Sequence, residues 1–185
     1  KELEGVHNRT NFDLTRHTEY SGKDMQYIDQ DNGNERYIPY IIETSAGLTR
    51  NLLMFLCDAY EEQKVADKGN DDDWRTVLHF HPVIAPITVA VLPLMKKDGL
   101  AELAQDIQAE LREDFRTDYD QSGAIGKRYR RQDEAGTPFC VTVDYDSKED
   151  GSVTLRFRDS MEQVRIPRTE LANRIRAEIK NYTRP

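Results

Sequence analysis

Apolar positions along this chain fall into runs whose spacing switches between the two residues of a strand and the three to four of a helix. Residues 1–20 read as a strand followed by a polar loop, and residues 21–36, rich in Asp, Asn and Gly, as a hairpin or excursion. Tyr37-Ile38-Pro39-Tyr40-Ile41-Ile42 is β-branched and aromatic, which predicts a strand. Leu48, Leu52, Leu56 and Ala59, with Phe55 beside them, recur at helical spacing, and Ser45 is a candidate cap. Glu61 to Asp73 is charged and predicts an exposed loop. Trp74 to Ile84 returns toward the core, and Pro82 to Pro86 marks a boundary.

Beyond that boundary the pattern alternates regularly. Ile87 to Leu94 predicts a buried strand. Leu100, Leu103, Ala104, Ile107 and Leu111 mark one face of an amphipathic helix. Phe115 to Tyr119 predicts a short strand, Ile125 to Ala135 a helix ended by Gly136, and Phe139 to Asp144 another strand. Val153 to Arg158 and Gln163 to Ile166 add two strands, and Leu171 to Ile179 closes with a helix. This order implies an α/β protein whose second part, residues 82–185, has a mixed five-stranded sheet flanked by helices. Residues 1–81 form the first part.

Composition narrows the class. The chain has 185 residues, 37% of them hydrophobic and 32% charged, enough for one real core plus a further piece. No apolar run approaches the ~20 residues of a membrane span; the longest, Val83 to Met95, is broken by two prolines. Lys1 to Gly5 is charged, unlike a signal peptide. The missing initial Met and a start in mid-pattern lead us to expect a piece of something longer. Cys57 and Cys140 each sit in an apolar run, which predicts two buried reduced thiols. His79 and His81 would share a strand face, where packing explains them better than a metal.

The net charge of −8 is unevenly spread. Residues 1–81 carry 9 Lys/Arg against 16 Asp/Glu, whereas residues 151–185 carry 8 basic and 4 acidic side chains. Lys127-Arg128-Tyr129-Arg130-Arg131 adds a second basic cluster, so an acidic protein contains locally basic surface able to meet phosphates.

Chemistry concentrates first in Glu43-Thr44-Ser45-Ala46-Gly47-Leu48-Thr49-Arg50, at a strand-to-helix turn. A carboxylate and a hydroxyl two residues apart on a strand can address one small ligand. Gly47 permits close backbone approach, and Arg50 in the first helical turn can grip a phosphate. By itself the segment also suits a capped helix with a surface arginine.

The form Glu-x-Ser-x-Gly-x-x-Arg after an apolar strand resembles motif 3 of the class II aminoacyl-tRNA synthetases, in the version found in the glycyl-tRNA synthetases. Upstream, Glu2-Leu3-Glu4-Gly5-Val6-His7-Asn8-Arg9-Thr10-Asn11-Phe12-Asp13-Leu14 resembles that family's E-L-x-G-I-x-x-R-T-D-F-D-L segment. Val83 to Ile87 with Ala90 to Leu94, Gly123 to Tyr129 with Asp133 to Phe139, and Arg158 to Gln163 resemble its anticodon-binding domain in the same order. Thr49 stands where the family more often has Asp or Gly, and Thr44 where some members have proline.

The resemblance implies the last piece of a class II antiparallel-sheet catalytic domain over residues 1–81 and an anticodon-binding domain over 82–185. It implies ATP-dependent activation of glycine and its transfer to tRNA. Glycine would be held by Glu43, Thr44, Ser45, Ala46 and Gly47, with Glu2 contributing from the neighbouring strand. ATP would meet Glu2, Leu3, Gly47, Leu48, Thr49 and Arg50, with Arg50 and Glu2 as catalytic residues and Glu2 able to meet the Mg2+ of the nucleotide. Lys127, Arg128, Arg130, Arg131, Arg156 and Arg158 are the candidates for tRNA. The resemblance further implies a cytoplasmic parent enzyme that is a homodimer, with no membrane contact, whose motifs 1 and 2 precede Lys1. This chain alone would then be inactive. The alternative is a non-catalytic nucleic-acid-binding accessory protein of the same fold; Glu2, Glu43, Ser45 and Arg50 argue against it, since a binding module needs none of them.

Overall fold

A computed structural model describes residues 2–65 and 74–184. The chain divides into two compact units, residues 1–54 and 55–185.

In the first unit, strand β1 (Glu4–Asn8) leads into helix α1 (Phe12–Ser21). Strands β2 (Tyr27–Asp29) and β3 (Glu35–Tyr37) pair as an antiparallel hairpin, as the turn-rich composition predicts. Strand β4 (Ile42–Ala46) returns antiparallel to β1, with Gly5 opposite Ser45 and His7 opposite Glu43. Helix α2 (Leu48–Ala59) follows.

Three expectations change here. Residues 12–21 are a helix, not a polar loop. None of its residues is buried, so no apolar stripe announces it. Local bonds hold it instead: Thr15 Oγ1 to the Asn11 carbonyl at 2.7 Å, Arg16 to Glu19 at 2.8 Å, and a left-handed Gly22 at its C-terminus. The strand expected at Tyr37 to Ile42 lies further along, at Ile42–Ala46, because Pro39 offers no N–H to a ladder. Ser45 is therefore paired in β4 and does not cap α2; Gly47 precedes the helix, its carbonyl accepting from Asn51 N–H at 2.9 Å.

The second unit opens on an antiparallel pair, β5 (Tyr60–Lys64) and β6 (Trp74–Leu78). Residues 61–64 of the expected loop are thus strand; residues 66–73 lie outside the described residues. The order continues β7 (Val89–Pro93), α3 (Leu100–Leu111), β8 (Thr117–Tyr119), α4 (Ile125–Ala135), β9 (Phe139–Val143), α5 (Tyr145–Asp150), β10 (Ser152–Phe157), β11 (Gln163–Pro167) and α6 (Leu171–Lys180). Five strands form one mixed sheet in the order β11-β10-β9-β7-β8, with β8, β7 and β9 parallel.

Period-two alternation decides which helix covers which face. Val89 and Val91 join Phe139, Val141 and Leu155 in the main core, under Leu100 and Ile107 of α3 and Leu171 and Ile175 of α6. Ala90, Leu92 and Cys140 point the other way, toward Ile125 and Tyr129 of α4. Helix α5 is too short for periodicity to reveal. Its signal is the capping box between Asp144 and Ser147. Gly136, in the left-handed region at the end of α4, is required sterically as well: a Cβ there would sit 2.5 Å from Phe80 Cδ2 and 2.9 Å from the Leu78 carbonyl.

The β5–β6 pair is part of this second unit and packs on α4. Residues 55–185 alone are therefore expected to unfold cooperatively, whereas residues 82–185 lose Arg75 and His79 from a buried network and unfold at clearly lower denaturant. Equal midpoints for the two fragments would show that the pair is an appendage.

Candidate functional site

The chemistry of the first unit gathers on one face of the β1–β4 ladder. Directly opposed residues of an antiparallel pair share a face, so Glu43 and Ser45 stand with His7, Arg9 and the bare backbone of Gly5. Thr44 and Ala46 project to the other face. Gly5 is buried, and a Cβ on it would collide with His7 Nε2 and Glu2 Oε1. Glycine thus leaves the space that brings the Glu2 carboxylate beside Ser45's partner. Arg9 Nε bridges Asp13 at 3.0 Å and Glu43 Oε2 at 3.3 Å. Arg50 folds back over Gly47 and donates from Nη1 to the Glu2 carbonyl at 2.6 Å.

So Glu2, Glu43, Ser45, Gly47 and Arg50 come together, and Leu48 and Thr49 occupy the exposed first turn of α2. Leu3 is 42% exposed. Glu2 lies just before β1, not within a strand. His7 and Arg9 share this face, and sequence reading passed over them. The signal was available, since both sit at period two from Gly5.

In the second unit the carboxyl ends of the parallel strands β7, β8 and β9 lie at one end of the sheet, where α/β proteins usually bind ligands. There a cavity of about 320 Å³ is lined by Pro93, Lys96, Lys97, Gln121, Gly123 and Arg128 among others. Helix α4 starts beside it with no side-chain cap and no acidic residue in its first turn, so its end attracts anions. Lys96, Lys97 and Lys127 are exposed. Arg131 clamps the loop before α4, binding Asp120 at 2.5 Å and the Ser122 carbonyl at 2.6 Å. Burial opposes ionisation of Asp120, but the Ser122 N–H and Arg131 outweigh it and hold the carboxyl below its ordinary range.

The six arginines and lysines expected at tRNA do not share one role. Lys127 and Arg131 are exposed, and Arg130 is half-buried. Arg128, Arg156 and Arg158 are instead buried, at 2%, 5% and 1% exposed. Arg128 spends its terminal nitrogens on the carbonyls of Pro93, Leu94 and Asp120, and burial lowers its pKa. Arg156 forks onto Asp133 at 2.8 and 2.9 Å and stacks on Tyr129 at 4.7 Å. Arg158 gives all five donors to Asp159, Phe80, Gly136 and Tyr182. Arg158 so placed has no donor left for a phosphate, whereas Arg128 lines the cavity beside the start of α4 and its Nε finds no partner among the described residues. Most of their buried acceptors, such as Pro93 for Arg128, Asp133 for Arg156 and Phe80 for Arg158, lie 23 to 78 positions away, so a basic run alone could not disclose it.

The buried network also includes Arg75, whose five donors go to Gln63, Asp133 and the carbonyls of Arg158 and Asp159. His79 is 5% exposed, between Asp159 at 2.7 Å and Glu61 at 3.0 Å. His79 and His81 follow β6 and do not share a strand face; His81 meets the Tyr182 ring edge-on. Of the two expected buried thiols, Cys140 is buried, and desolvation pushes it up to about 12. Cys57 is exposed on α2, since its apolar run faces outward there.

Comparison with known proteins places this geometry. Residues 88–178 match the model of an anticodon binding domain. The whole chain is 88% identical to a protein of Treponema denticola named glycine–tRNA ligase, spanning 41% of its length. It is 57% identical to the glycine–tRNA ligase of Treponema pallidum (strain Nichols), covering 44% of that protein. Over 92% of the chain it is 58% identical to that of Corynebacterium glutamicum. The chain therefore carries an anticodon-binding domain over residues 88–178 and belongs to the glycine–tRNA ligase family, spanning less than half the length of these relatives.

Proposed function

We propose that this chain is the part of a glycine–tRNA ligase that supplies one wall of the glycine and ATP site and the surface that receives the tRNA anticodon. The observation that carries the first half is the shared face of Glu43 and Ser45, opposite Gly5, with Arg50 turned back toward Glu2. A small ammonium needs anionic and hydroxyl acceptors close together, which Glu43 and Ser45 offer. A pocket walled for glycine rejects larger amino acids by steric exclusion. Arg50 would orient the ATP phosphates and balance charge as pyrophosphate leaves. Glu2 fits the ordinary Mg2+ pattern of one or two protein carboxylates completed by substrate phosphates. When bound, that ion would neutralise phosphate charge. No helix among the described residues is long and apolar enough to cross a membrane; a homodimeric, cytoplasmic parent remains part of the proposal. The accessory-protein alternative is not favoured, because relatives similar across the whole chain carry the ligase name.

For RNA, the uncapped start of α4 with Lys96, Lys97 and Lys127 provides the phosphate-facing surface. Lys127→Ala is expected to lower the slope of log affinity against log salt by about one unit. Arg128→Met is expected to lower domain stability with little change in that slope. A filter-binding titration of tRNA(Gly) across salt decides this, and equal slopes for Lys127→Ala and wild type would remove Lys127 from the interface. The full-length protein tests the whole reading: it should catalyse glycine-dependent ATP–pyrophosphate exchange and charge tRNA(Gly). Exchange driven better by alanine or serine would overturn the glycine assignment.

A further inference from the structure

The segment after α6 makes contacts that neither the amino-acid site nor the RNA surface requires. Tyr182 is half-buried, donates from its hydroxyl to Asp159 Oδ2 at 3.0 Å and accepts from Arg158 Nη2 at 3.1 Å. Its ring meets His81 edge-on with centroids 5.0 Å apart. Burial, with the Asp159 carboxylate, pushes this phenol up to about 12, so it keeps its proton and remains a donor. Two residues on, Arg184 Nη1 pairs with Asp58 Oδ2 at 2.5 Å, and its Nη2 donates to the Asp58 carbonyl. Asp58 lies in the last turn of α2, the helix whose first turn carries Arg50.

Residues 182–184 thus cross from the β10–β11 turn, where Asp159 also gathers Arg158 and His79, to the end of α2. Gripping both the side chain and the backbone of Asp58 fixes the direction of the helix end as well as its place. An exposed ion pair contributes little to stability. The strap's effect is therefore expected in orientation, not in folding.

We propose that Tyr182 and Arg184 form a strap that holds the end of α2 on the anticodon-binding domain, and that both are positioning residues for transfer of glycine to tRNA. This rests on the ligase reading above. Productive transfer requires the anticodon-bound tRNA and the adenylate site to be presented in one geometry. A strap that fixes the shared helix acts on that step and leaves each binding event alone.

The test uses the full-length ligase with Tyr182→Phe, Arg184→Ala and the double variant. Four quantities are measured: ATP–pyrophosphate exchange, tRNA affinity, the kcat and KM of charging, and the melting temperature. The double variant is expected to lose at least about fivefold in charging kcat, the low end of ordinary coupling between sites, with exchange and tRNA affinity within about twofold of wild type. Asp58→Arg should show the same defect, and Asp58→Arg combined with Arg184→Asp should recover part of it. An unchanged charging kcat in the double variant overturns the proposal. So does a parallel fall in exchange, affinity, charging and melting temperature, which would make the strap a fold clamp only. A charge swap that restores nothing overturns the assignment to the Asp58–Arg184 pair. Absence of exchange in the wild-type protein would instead defeat the ligase reading itself.

Discussion

Replacing Asp133 with asparagine is expected to destabilise the second unit by about 3–5 kcal/mol, a large share of a domain's usual 5–15 kcal/mol. Asp133 is 0% exposed and is shared by Arg75, 2% exposed, and Arg156, 5% exposed. Burial opposes the charge on Arg156, yet the hydrogen bonds and charge of Asp133 more than offset it and leave its pKa raised. Asparagine keeps the shape but removes the countercharge, so two guanidinium groups remain buried without a carboxylate. Breaking such a cluster costs far more than never having built it. Urea unfolding of residues 55–185 measures the effect, with exposed Glu134→Gln as a control expected within about 0.5 kcal/mol of wild type. A loss below about 1 kcal/mol for Asp133→Asn would mean that water enters the cluster and screens the arginines.

In the full-length ligase, Arg50→Ala is expected to slow glycine-dependent ATP–pyrophosphate exchange by on the order of 10²–10³, the usual consequence of losing one preorganised donor to developing charge. Glu43→Ala is expected to raise the KM for glycine, since Glu43 would bind the ammonium in the ground state and the transition state alike. The 185-residue chain assayed alone is expected to show no appreciable exchange. The resemblance puts an arginine and an acidic residue of motif 2 outside it, and charge stabilisation here needs groups from several strands at once. Robust exchange by the chain alone would show that the essential groups have been misplaced. An Arg50→Ala enzyme as fast as wild type would reduce Arg50 to the structural bond it makes with the Glu2 carbonyl.

Residues 87–179 were the most legible part of the chain. Ile125–Ala135 and its stop at Gly136 match the observed helix end to end, because an amphipathic helix closed by a left-handed glycine leaves both a periodic and a local mark. The two central strands β7 and β9 were readable because each is buried on both faces and nearly continuously apolar, and β11 at the sheet edge because it alternates Val164 and Ile166 with exposed polar residues. Helix α1 was not readable, because nothing on it is buried and its stability is local. The pairing of Tyr60–Lys64 with Trp74–Leu78 was missed because the charges of 61–64 suggest a loop, while their strand state comes from the partner strand.

The sequence by itself carried the resemblance to the family, the α/β class and the placement of Glu43, Ser45 and Arg50 at one strand-to-helix turn, since these depend on local order and spacing. Only the tertiary structure decided what the arginines do. Lys127, Arg128, Arg130 and Arg131 look alike in the chain, yet Arg128 is buried under β7 carbonyls while Lys127 is exposed. Arg75 reaches Asp133 across 58 positions, and Arg184 reaches Asp58 across 126. A charged side chain is buried only where distant backbone and carboxylate oxygens replace its water, and no local pattern records where those oxygens will be.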